Sequence, residues 1–585
     1  TTRTTTTTSS NNARHEALLA LLPTLHNHKG HSVPTDRLER SVPYQALPPR
    51  DRALARLLCS TVTRRQGQLD RIVERYETTS GTGPKKGSSH NSNKKKKGNQ
   101  KNKKGQYHHP ADAVVRTVLR LGLAQLLVLK TPPHAAVKET VDLLRMPLWS
   151  NHGSNGKTIK ISPGKIQFVN AVLRRVSRDM MESPVEDDDD DDTLDDPINR
   201  YVSQTTSILD NASPWLVQQF TEAWGTERTQ LIVQQAMQEL PRYLTVKQQP
   251  LWLSLLDNSK DEPEPQSTSI HPRVVEQFTA AARTQTNSND DDDDNDRPQV
   301  APAVKVLPQQ SIQLVVPPPG KVSDWPGYHD GDWWLQDPSA TLPALALAEA
   351  FFLSSSDKDD AATTTTTPSL SNYNVVDLCA APGGKTAQLC SYGFGHVTAV
   401  ELSERRSRRL RENLQRLQLL DKCDVQVADG TTWLPPMMIV EEGQRQQPPR
   451  QPIHGVLLDV PCTATGTAGR RPDVLHKDAS CLNAELLQVQ YNLACHAADH
   501  LLPVGGVLVY ATCSLLKQEG EDQLHRVLTR NDSETVLETV PFTDDSQVVP
   551  LLPGCVVDEH GWMRVFPQPD NEMDGFFIAR FRKLR

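Results

Sequence analysis

The sequence lacks the features of membrane, secreted and zinc-binding proteins. No apolar run reaches the ~18 residues of a membrane-spanning helix, so we expect no membrane partner. The nine cysteines are irregularly spaced, with no CxxC pair and no apolar signal sequence, which predicts free thiols, a reducing compartment and no metal site. An excess of positive charge is also missing: 64 Lys and Arg against 71 Asp and Glu give a net charge of −7. Any nucleic-acid partner must therefore be sought in local features.

Hydrophobic residues are scarce, at 37% of 585 residues, against the ~45–50% of a typical globular domain. The deficit is concentrated in four low-complexity blocks, which cannot bury enough apolar surface to offset their ordering entropy. We expect them to be insertions without a site of their own. They are the lysine-rich block Pro84–Pro110, the acidic blocks Glu186–Asp192 and Asn287–Asp296, and the threonine run Thr363–Thr367.

The first twelve residues are rich in Thr and Ser and contain no acid. This composition suits either the remnant of an organellar targeting peptide or a disordered tail. The predicted compartment is therefore the cytoplasm or an organelle such as a plastid or mitochondrion.

Helical periodicity dominates residues 13–180. Apolar residues recur at three- and four-residue steps over Asp51–Tyr76, and Ala111–Lys130 is apolar on all sides, as in a buried central helix. His134–Arg145 and Ile166–Asp179 continue the pattern. The spacing predicts an all-helical domain over 13–180.

Two further segments separate this domain from the C-terminal part. Residues 181–210 are predicted to be an acidic linker, and 211–336 a small α+β domain that contains the acidic insertion 287–296. Ser213 is placed to cap a helix that starts at Pro214, and Arg242–Val246 has the pattern of a strand.

Residues 337–585 alternate strand-like and helical segments, which predicts βαβ units around a parallel sheet. Ligands bind outside the carboxyl ends of such strands. The predicted strands are Val375–Leu378, Val397–Val400, Val425–Ala428, Val456–Leu458 and Val507–Tyr510.

A glycine turn, Gly383–Gly384, follows the first of these strands and lets the backbone approach a ligand closely. Its spacing is neither GxGxxG nor GxxxxGK[ST], which disfavours a dinucleotide or a nucleoside triphosphate. Glu401 ends the second strand, 24 residues beyond Asp377, where an acid can accept hydrogen bonds from ribose hydroxyls. Asp429 follows the third strand, in a position to meet an adenine. The pattern indicates a nucleoside-binding half-sheet.

Two cysteines follow the ends of later strands in polar turns: Cys462 after Asp459, and Cys513 after Thr512. Packing in the core is the usual role of a cysteine and suffices for the others, but it fits these two poorly. Methylation of carbon 5 of a pyrimidine uses such a thiol, which adds to carbon 6 and makes carbon 5 nucleophilic. A nearby carboxyl group such as that of Asp459 can then hydrogen-bond the ring.

The motifs of residues 337–585 strongly resemble those of the RsmB/Sun-type RNA cytosine-5 methyltransferases. They include VVDLCAAPGGKTAQL, LLDVPCTATGT, VLVYATCSLLKQEGEDQ and MDGFFIARF. Upstream, RDRALARLLCSTVTRRQGQLD and KIQFVNAVLRRVSRD resemble a NusB-like helical domain. The resemblance implies a Rossmann-like methyltransferase domain preceded by the NusB-like domain and a small α+β domain.

The resemblance also implies roles for individual residues. Cys513 becomes the nucleophile and Cys462 an accessory thiol for product release, although Cys462 stays the competing nucleophile because DNA cytosine methyltransferases use a Pro-Cys cysteine. Asp459 lies at the methyl-donor end beside the target base, Glu401 on the ribose and Asp429 near the adenine. S-adenosylmethionine is wrapped by Cys379, Ala380, Ala381, Pro382, Gly383, Gly384 and Lys385.

Three departures from the family pattern stand out. Glu401 occupies a position where the family usually has Asp. Gly469, Arg470 and Arg471 replace a stretch of two arginines followed by His or Asn, which puts an arginine-to-phosphate role in doubt. The low-complexity insertions have no counterpart.

The expected activity is transfer of a methyl group to carbon 5 of a cytidine in RNA, with small-subunit rRNA or a pre-ribosomal particle as partner and the protein as a monomer. Arg405, Arg406, Arg408 and Arg409 are either an RNA-contacting face or a solvated helix surface. The alternatives are a noncatalytic RNA-binding assembly factor that keeps the fold and, disfavoured by its glycine spacing, an NAD-dependent oxidoreductase.

Overall fold

The protein is described here from a computed structural model. Its described residues are 9–22, 34–79, 110–146, 148–149, 158–182, 196–247, 270–286, 304–307, 311–318, 320–356, 369–435, 452–531, 533–543, 546, 548–549, 553–569 and 571–585. They fall into two compact units, Thr1–Val217 with Arg471–Lys477, and Gln218–Arg470 with Asp478–Arg585.

The first unit is a helical bundle. Its core gathers apolar side chains from all eight of its described α-helices, including the predicted stripe Val115, Leu119, Leu123 and Leu127, each at most 8% exposed. The α-helices are α1 Ser9–Leu21, α2 Pro34–Glu39, α3 Val42–Gln45, α4 Pro49–Thr79, α5 Pro110–Leu123 with a π turn at Ala124–Val128, α6 Pro133–Leu143, α7 Pro163–Asp179 and α8 Pro197–Thr205.

The bundle differs from the sequence prediction in three places. α1 begins at Ser9, inside the predicted tail, because its apolar face joins the core through Ala13, Ala17 and Leu18. A short antiparallel pair, β1 Leu148–Trp149 with β2 Thr158–Ile159, interrupts the all-helical pattern. The predicted acidic linker contains α8, which Asp196 caps by accepting a hydrogen bond from the Ile198 amide.

Several predictions lie outside the described residues. These are residues 1–8 of the N-terminal tail, all of the lysine-rich block except Pro110, and the three blocks Glu186–Asp192, Asn287–Asp296 and Thr363–Thr367.

The second unit begins within α9 and contains a four-stranded antiparallel sheet in the order β4-β5-β3-β6. Ser213 accepts a hydrogen bond from the Leu216 amide, so the predicted cap at the start of α9 is confirmed. Leu244, Phe278, Ile312 and Trp333 form the core beside this sheet. The elements are α9 Pro214–Trp224, α10 Thr226–Ala236, β3 Arg242–Val246, α11 Ile270–Thr286, β4 Val304–Val306, β5 Ser311–Leu314 and β6 Trp333–Leu335.

A larger sheet follows in the order β13-β14-β15-β11-β10-β7-β8-β9, with β12 on β15. Strands β7 to β11 are parallel to one another, whereas β12 to β15 make antiparallel pairs, including that of β15 with β11, so the predicted parallel-rich, Rossmann-like fold is confirmed. The strands are β7 Asn374–Leu378, β8 His396–Glu401, β9 Cys423–Val427, β10 Ile453–Asp459, β11 Val507–Thr512, β12 Leu537–Thr539, β13 Cys555–Val557, β14 Met563–Val565 and β15 Phe576–Lys583.

The sheet is buried on both faces. Val375 and Leu457 belong to one apolar cluster and their chain neighbours Val376 and Leu458 to another, as the two-residue period of a strand requires. The helices are α12 Leu342–Ser356, α13 Gly384–Tyr392, α14 Glu404–Arg416, α15 Ala484–His496 with a π turn at Ala497–Leu501, and α16 Glu521–Leu528.

The strand order reverses direction between β7 and β10. From β7 the chain adds β8 and β9 on one side, and it then returns to add β10 and β11 on the other. Loops diverge at such a switch point and leave a crevice at the carboxyl ends of the strands. The glycine turn follows β7 and Asp459 ends β10, so both lie at this crevice.

Candidate active site

The loop between β7 and α13 folds back tightly against the sheet. The Ala380 amide donates to the Val400 carbonyl at 3.1 Å, and the Gly383 amide donates to the Ala380 carbonyl at 2.9 Å. Gly383 has a φ of +104°, and a Cβ there would lie 2.4 Å from Leu410 Cδ1. Only glycine satisfies both constraints at position 383.

Asp377 lies beneath this loop and is 1% exposed. Burial raises the pKa of its carboxyl group to about 7, while the hydroxyl of Thr386 donates to Oδ2 at 2.6 Å and favours the charged form. Asp377 therefore fixes the start of α13 from below.

Glu401 is 2% exposed and is already engaged by protein groups. Its Oε2 accepts from the Ala381 amide at 3.3 Å, and its Oε1 accepts from the Ser403 amide at 2.9 Å. Arg406 lies 3.3 Å from the same carboxylate and donates to the Ala381 carbonyl at 2.6 Å. Glu401 and Arg406 thus hold the glycine loop, and the guanidinium of Arg406 is bound to groups of the protein itself.

Asp429 lies just beyond β9 and is exposed. Its Oδ1 accepts from the amide and the hydroxyl of Thr431, at 2.9 and 2.7 Å. These two hydrogen bonds lower the pKa of Asp429, so the carboxylate is charged at neutral pH.

The two cysteines predicted for catalysis lie side by side, with Cys462 Sγ 3.4 Å from Cys513 Sγ. Both are half-buried. The contact with Cys462 and burial raise the pKa of the Cys513 thiol, whereas the nearby Lys385 ammonium opposes that rise. A cation is therefore already in place to favour the thiolate form of Cys513.

Lys385 reaches from the glycine loop to Asp459, with Nζ 2.7 Å from Oδ2. Burial disfavours the ammonium ion, but the Asp459 carboxylate more than compensates, so the pKa of Lys385 is raised. The sequence placed Lys385 on the cofactor, whereas its hydrogen-bond partner in the structure is the acid beside the thiols. The pair presents one donor and one acceptor next to Cys513.

A buried carboxylate holds the Cys462 loop. Glu519, 0% exposed, accepts from the Thr463 amide at 2.9 Å and also from the Thr463 hydroxyl. Gln490 donates to the same carboxylate at 3.0 Å and to the Pro461 carbonyl at 2.8 Å. Thr463 and Pro461 flank Cys462, so this network fixes its thiol.

Gly466 joins the loops of the two cysteines. Its amide donates to the Cys513 carbonyl at 2.9 Å, and its carbonyl accepts from the Gly575 amide at 2.8 Å. A Cβ at position 466 would lie 2.4 Å from the Gly575 carbonyl oxygen, so glycine is required for this approach.

A cavity of about 760 Å³ opens beside the glycine loop. Cys379–Lys385 and Asp459 form one wall, and Tyr243 and Trp334 contribute to the other. Of the predicted site residues, Glu401, Asp429, Cys462 and Cys513 lie outside its lining. The structure thus brings Cys462, Cys513, Asp459 and Lys385 together, and it places Glu401 and Asp429 at the ends of the next two strands.

The guanidinium of Arg470 forms hydrogen bonds and ion pairs with other groups of the protein. It donates to Asp337 Oδ2 at 2.6 and 3.1 Å and to the Pro241 carbonyl at 3.0 Å, and it lies 3.3 Å from Asp574. Burial and the nearby Asp337 raise the pKa of Asp574. The structure therefore uses Arg470 to position the chain between the two sheets of this unit.

Comparison with known proteins identifies the family. Residues 365–582 match the model of the 16S rRNA methyltransferases RsmB/F, and residues 99–152 match the NusB family. The ribosomal RNA small subunit methyltransferase B of Xylella fastidiosa strain Temecula1 is 30% identical over 72% of this chain and 73% of its own. The chain belongs to the RsmB/F methyltransferase family. Its relative of the same name in Xanthomonas campestris pv. campestris is 28% identical over 92% of this chain and 90% of its own.

A solved structure shares its fold with nearly the whole chain. The crystal structure of PH0851 covers 99% of this chain and 99% of its own, with a TM-score of 0.55 and 17% identity, which supports the fold alone. Members of the RsmB/F family are S-adenosylmethionine-dependent, so the predicted cofactor and the assignment as an RNA methyltransferase are confirmed.

The residues present fit the cofactor. The backbone of Cys379–Lys385 borders an open cavity, and a Cβ on Gly384 would meet only Gln336, at 3.4 Å. Carboxylates end or follow β8 and β9, as a nucleoside requires. When bound, S-adenosylmethionine supplies an electrophilic methyl group.

The sequence of this RsmB/F chain did not indicate the roles of Glu519 and Gln490, or the cavity wall that contains Tyr243 and Trp334. Glu519 stands in the polar run KQEGED, which has the pattern of an exposed surface, so no local signal marks its burial.

Within the described ranges, no helix is long and apolar enough to cross a membrane, and no cluster of three metal-ligating side chains occurs.

Proposed function

We propose that the protein transfers a methyl group from S-adenosylmethionine to carbon 5 of a cytidine in small-subunit rRNA through a covalent adduct to Cys513. The observation that supports this most is the contact of the two thiols, 3.4 Å apart, beside the Lys385–Asp459 pair. Carbon 5 of cytosine is a weak nucleophile, and adding a thiolate to carbon 6 is a way to activate it.

In the first step the Cys513 thiolate forms a bond to carbon 6 of the base. The electron pair of the carbon 5–carbon 6 double bond moves towards carbon 5 and the ring. The ammonium of Lys385 favours the thiolate, and the Lys385–Asp459 pair hydrogen-bonds the ring as negative charge develops on it. Carbon 5 would then form a bond to the methyl group of S-adenosylmethionine as the bond from that methyl group to the sulfonium sulfur breaks, which would leave S-adenosylhomocysteine.

In the second step a base, the role we assign to the sulfur of Cys462, takes the proton from carbon 5, the electron pair restores the double bond, and the bond between Cys513 and carbon 6 breaks. Cys462 is placed to assist this elimination because its thiol contacts Cys513 and the Glu519 network holds its loop. The target base must enter this site with its edge exposed, which requires single-stranded or extruded RNA.

The substrate assignment follows the relatives, whose name describes methylation of small-subunit rRNA. We assign the helical domain 13–180 to contacts with that RNA or with a ribosomal particle, residues 211–336 to a small pre-catalytic domain and 337–585 to the methyltransferase domain, acting as a monomer.

The test is methyl transfer from labelled S-adenosylmethionine to unmodified small-subunit rRNA, followed by nucleoside analysis of the product. The expected product is 5-methylcytidine, with activity lost in Cys513→Ala. A different methylated nucleoside would refute the proposed chemistry. If wild-type protein bound S-adenosylmethionine and rRNA but transferred no methyl group, we would instead assign the protein the function of a noncatalytic RNA-binding assembly factor.

A further inference from the structure

The turn that follows Cys513 is held by two side chains that do not line the cavity. The Cys513 carbonyl accepts a hydrogen bond from the loop after β10. The next carbonyl, that of Ser514, accepts from Nη1 of Arg564 in β14 at 2.9 Å. The one after it, that of Leu515, accepts from Nε1 of Trp224 at the end of α9, also at 2.9 Å. Three successive carbonyls, starting at the proposed nucleophile, are thus fixed by three different parts of the chain.

Arg564 is itself fixed in one orientation. It is 4% exposed, and its Nε and Nη2 atoms donate to the two carboxylate oxygens of Glu521 at 3.1 and 2.6 Å. Its guanidinium carbon lies 4.8 Å from the ring centroid of Trp224 and 4.7 Å from that of Phe577. A bidentate ion pair and two ring contacts restrict a planar guanidinium strongly. The remaining nitrogen, Nη1, is therefore directed at the Ser514 carbonyl.

The end of α9 is attached to the segment after Cys513 at two points. Trp224 is half-buried, its ring meets that of Phe566 edge to face with 5.0 Å between centroids, and its indole nitrogen provides the first attachment. In the same helix, the side-chain oxygen of Gln219 accepts from Gln518 at 2.7 Å. Because α9 precedes the predicted methyltransferase domain, a helix from outside that domain contributes to the geometry of the active-site turn.

The amides of the turn have partners of their own. The Ser514 amide donates to the Thr512 hydroxyl at 3.1 Å, and the Leu515 amide donates to the Thr465 hydroxyl at 2.9 Å. Ser514 and Leu515 are both 0% exposed, so water does not reach their carbonyls. Losing one donor therefore leaves a buried carbonyl unpaired, and the turn has to shift to satisfy it.

We propose that Arg564 and Trp224 are positioning residues for Cys513. By holding the two carbonyls that follow the nucleophile, they keep its thiol beside Lys385. This inference rests on the proposed function, because it takes Cys513 as the nucleophile. Arg564 and Trp224 do not line the cavity, so they act through the turn and not on the base or the cofactor. Misplacing a reacting atom by about 1 Å can cost on the order of 10²-fold in rate, so these contacts bear directly on catalysis.

The test is Trp224→Phe, which keeps an aromatic ring against Phe566 and removes the donor to the Leu515 carbonyl. Trp325→Phe is the matched control. Trp325 is 3% exposed, its indole nitrogen has no hydrogen-bond partner among the described residues, and it does not line the cavity. Both variants are made in the full chain and measured for thermal unfolding, affinity for S-adenosylmethionine, and kcat and KM of methyl transfer to unmodified small-subunit rRNA.

Trp224→Phe should lower kcat about tenfold, while KM for rRNA and the affinity for S-adenosylmethionine stay within about twofold of wild type. Trp325→Phe makes the same change in the core and should lower the unfolding temperature without changing kcat. A second variant, Arg564→Lys, keeps a positive charge opposite Glu521. Its ammonium cannot reproduce the fork that serves both Glu521 and the Ser514 carbonyl, so kcat should again fall about tenfold.

A further measurement does not require methyl transfer. In Cys462→Ala protein, iodoacetamide alkylates Cys513 at pH 7 in proportion to its thiolate, which the nearby Lys385 ammonium favours. Adding Trp224→Phe should slow this alkylation about threefold or more, because the released turn moves the thiol away from Lys385. Adding Trp325→Phe should leave the rate unchanged.

Three results would overturn the inference. They are a wild-type kcat in Trp224→Phe, an equal loss of kcat in Trp325→Phe, and alkylation of Cys513 that Trp224→Phe does not slow. If the wild type yielded no 5-methylcytidine, the proposed function would fail, whereas the alkylation rates would still test the positioning of Cys513.

Discussion

At the scale of single residues, Lys385 connects the two parts of the proposed chemistry. Its ammonium lies 2.7 Å from Asp459 and close enough to Cys513 to favour the thiolate. The contact with Cys462 and burial both oppose ionisation of Cys513, so this cation is the main local influence that assists it. The reactivity of Cys513 should therefore depend on Lys385.

Replacing Lys385 with Met should shift the activity of the enzyme to higher pH. Removing the cation raises the pKa of the Cys513 thiol, so the thiolate forms only in more alkaline solution. We expect methyl transfer at pH 7 to fall by about 10²-fold or more and to recover in part as the pH rises. The measurement is the pH profile of methyl transfer.

Lys385→Arg is the matched control because it keeps the charge, and its profile should stay closer to that of the wild type. An unshifted pH profile in Lys385→Met, together with weaker S-adenosylmethionine binding, would return Lys385 to the cofactor-binding role that its sequence position suggests.

At the scale of helices and strands, the closest backbone approach in the bundle depends on Gly67 in α4. A Cβ at this position would lie 1.6 Å from the Asp210 carbonyl oxygen, which belongs to the 3₁₀ turn Ile208–Asn211. The Gln68 amide donates to the Asn211 side chain at 3.0 Å, so α4 and the turn are also hydrogen-bonded. A backbone atom cannot rotate away from a new methyl group as a side chain can.

Gly67→Ala should therefore destabilise the helical unit by at least about 1–3 kcal/mol, the usual cost of overpacking. Gly164→Ala in α7 is the control, because a Cβ there meets nothing within 4 Å. It should be neutral or stabilising by about 0.5–1 kcal/mol. Urea unfolding of both variants checks this, and equal stabilities would contradict the close approach.

Periodicity predicted the elements well and their long-range contacts poorly. α4 begins two residues before the predicted Asp51 and ends three after Tyr76, because a 3.6-residue repeat of apolar side chains is a local signal. The strand pattern is also local, and it predicted that Cys462 and Cys513 follow strand ends. It did not predict that β10 lies between β11 and β7 in the sheet. Glu519 could not be found, since its burial depends on Thr463, 56 residues away.

The wall of Tyr243 and Trp334 shows the same limit. Both residues come from the small antiparallel sheet, and no spacing in the sequence indicates that this sheet borders the glycine loop. The sequence therefore indicated the thiols and the loop, but not the wall of the cavity that faces the loop.

At the scale of the whole molecule, a buried ion pair connects the last strand to the helix that precedes the methyltransferase sheet. Arg580 in β15 donates to Glu349 in α12 at 2.5 Å, and their side chains are 1% and 5% exposed. Ser546 also donates to Glu349, at 2.9 Å. Removing one partner leaves a charge that water does not reach.

Arg580→Met should destabilise the protein by about 3–5 kcal/mol, because the buried Glu349 carboxylate then loses its cationic partner. The double variant Arg580→Met/Glu349→Met should recover part of the loss, since no uncompensated charge remains. Thermal unfolding of both variants tests this. A double variant less stable than the single one would show that the pair does not act as a unit.

The central claim is that Cys513 bonds to the base and Cys462 assists its release. The most direct test is to incubate Cys462→Ala with rRNA and S-adenosylmethionine and look for RNA that stays on the protein after denaturation. We predict a covalent complex with Cys462→Ala and none with Cys462→Ala/Cys513→Ala. A covalent complex that persists with Cys513→Ala and is lost when Cys462 alone is replaced would contradict the account and make Cys462 the nucleophile.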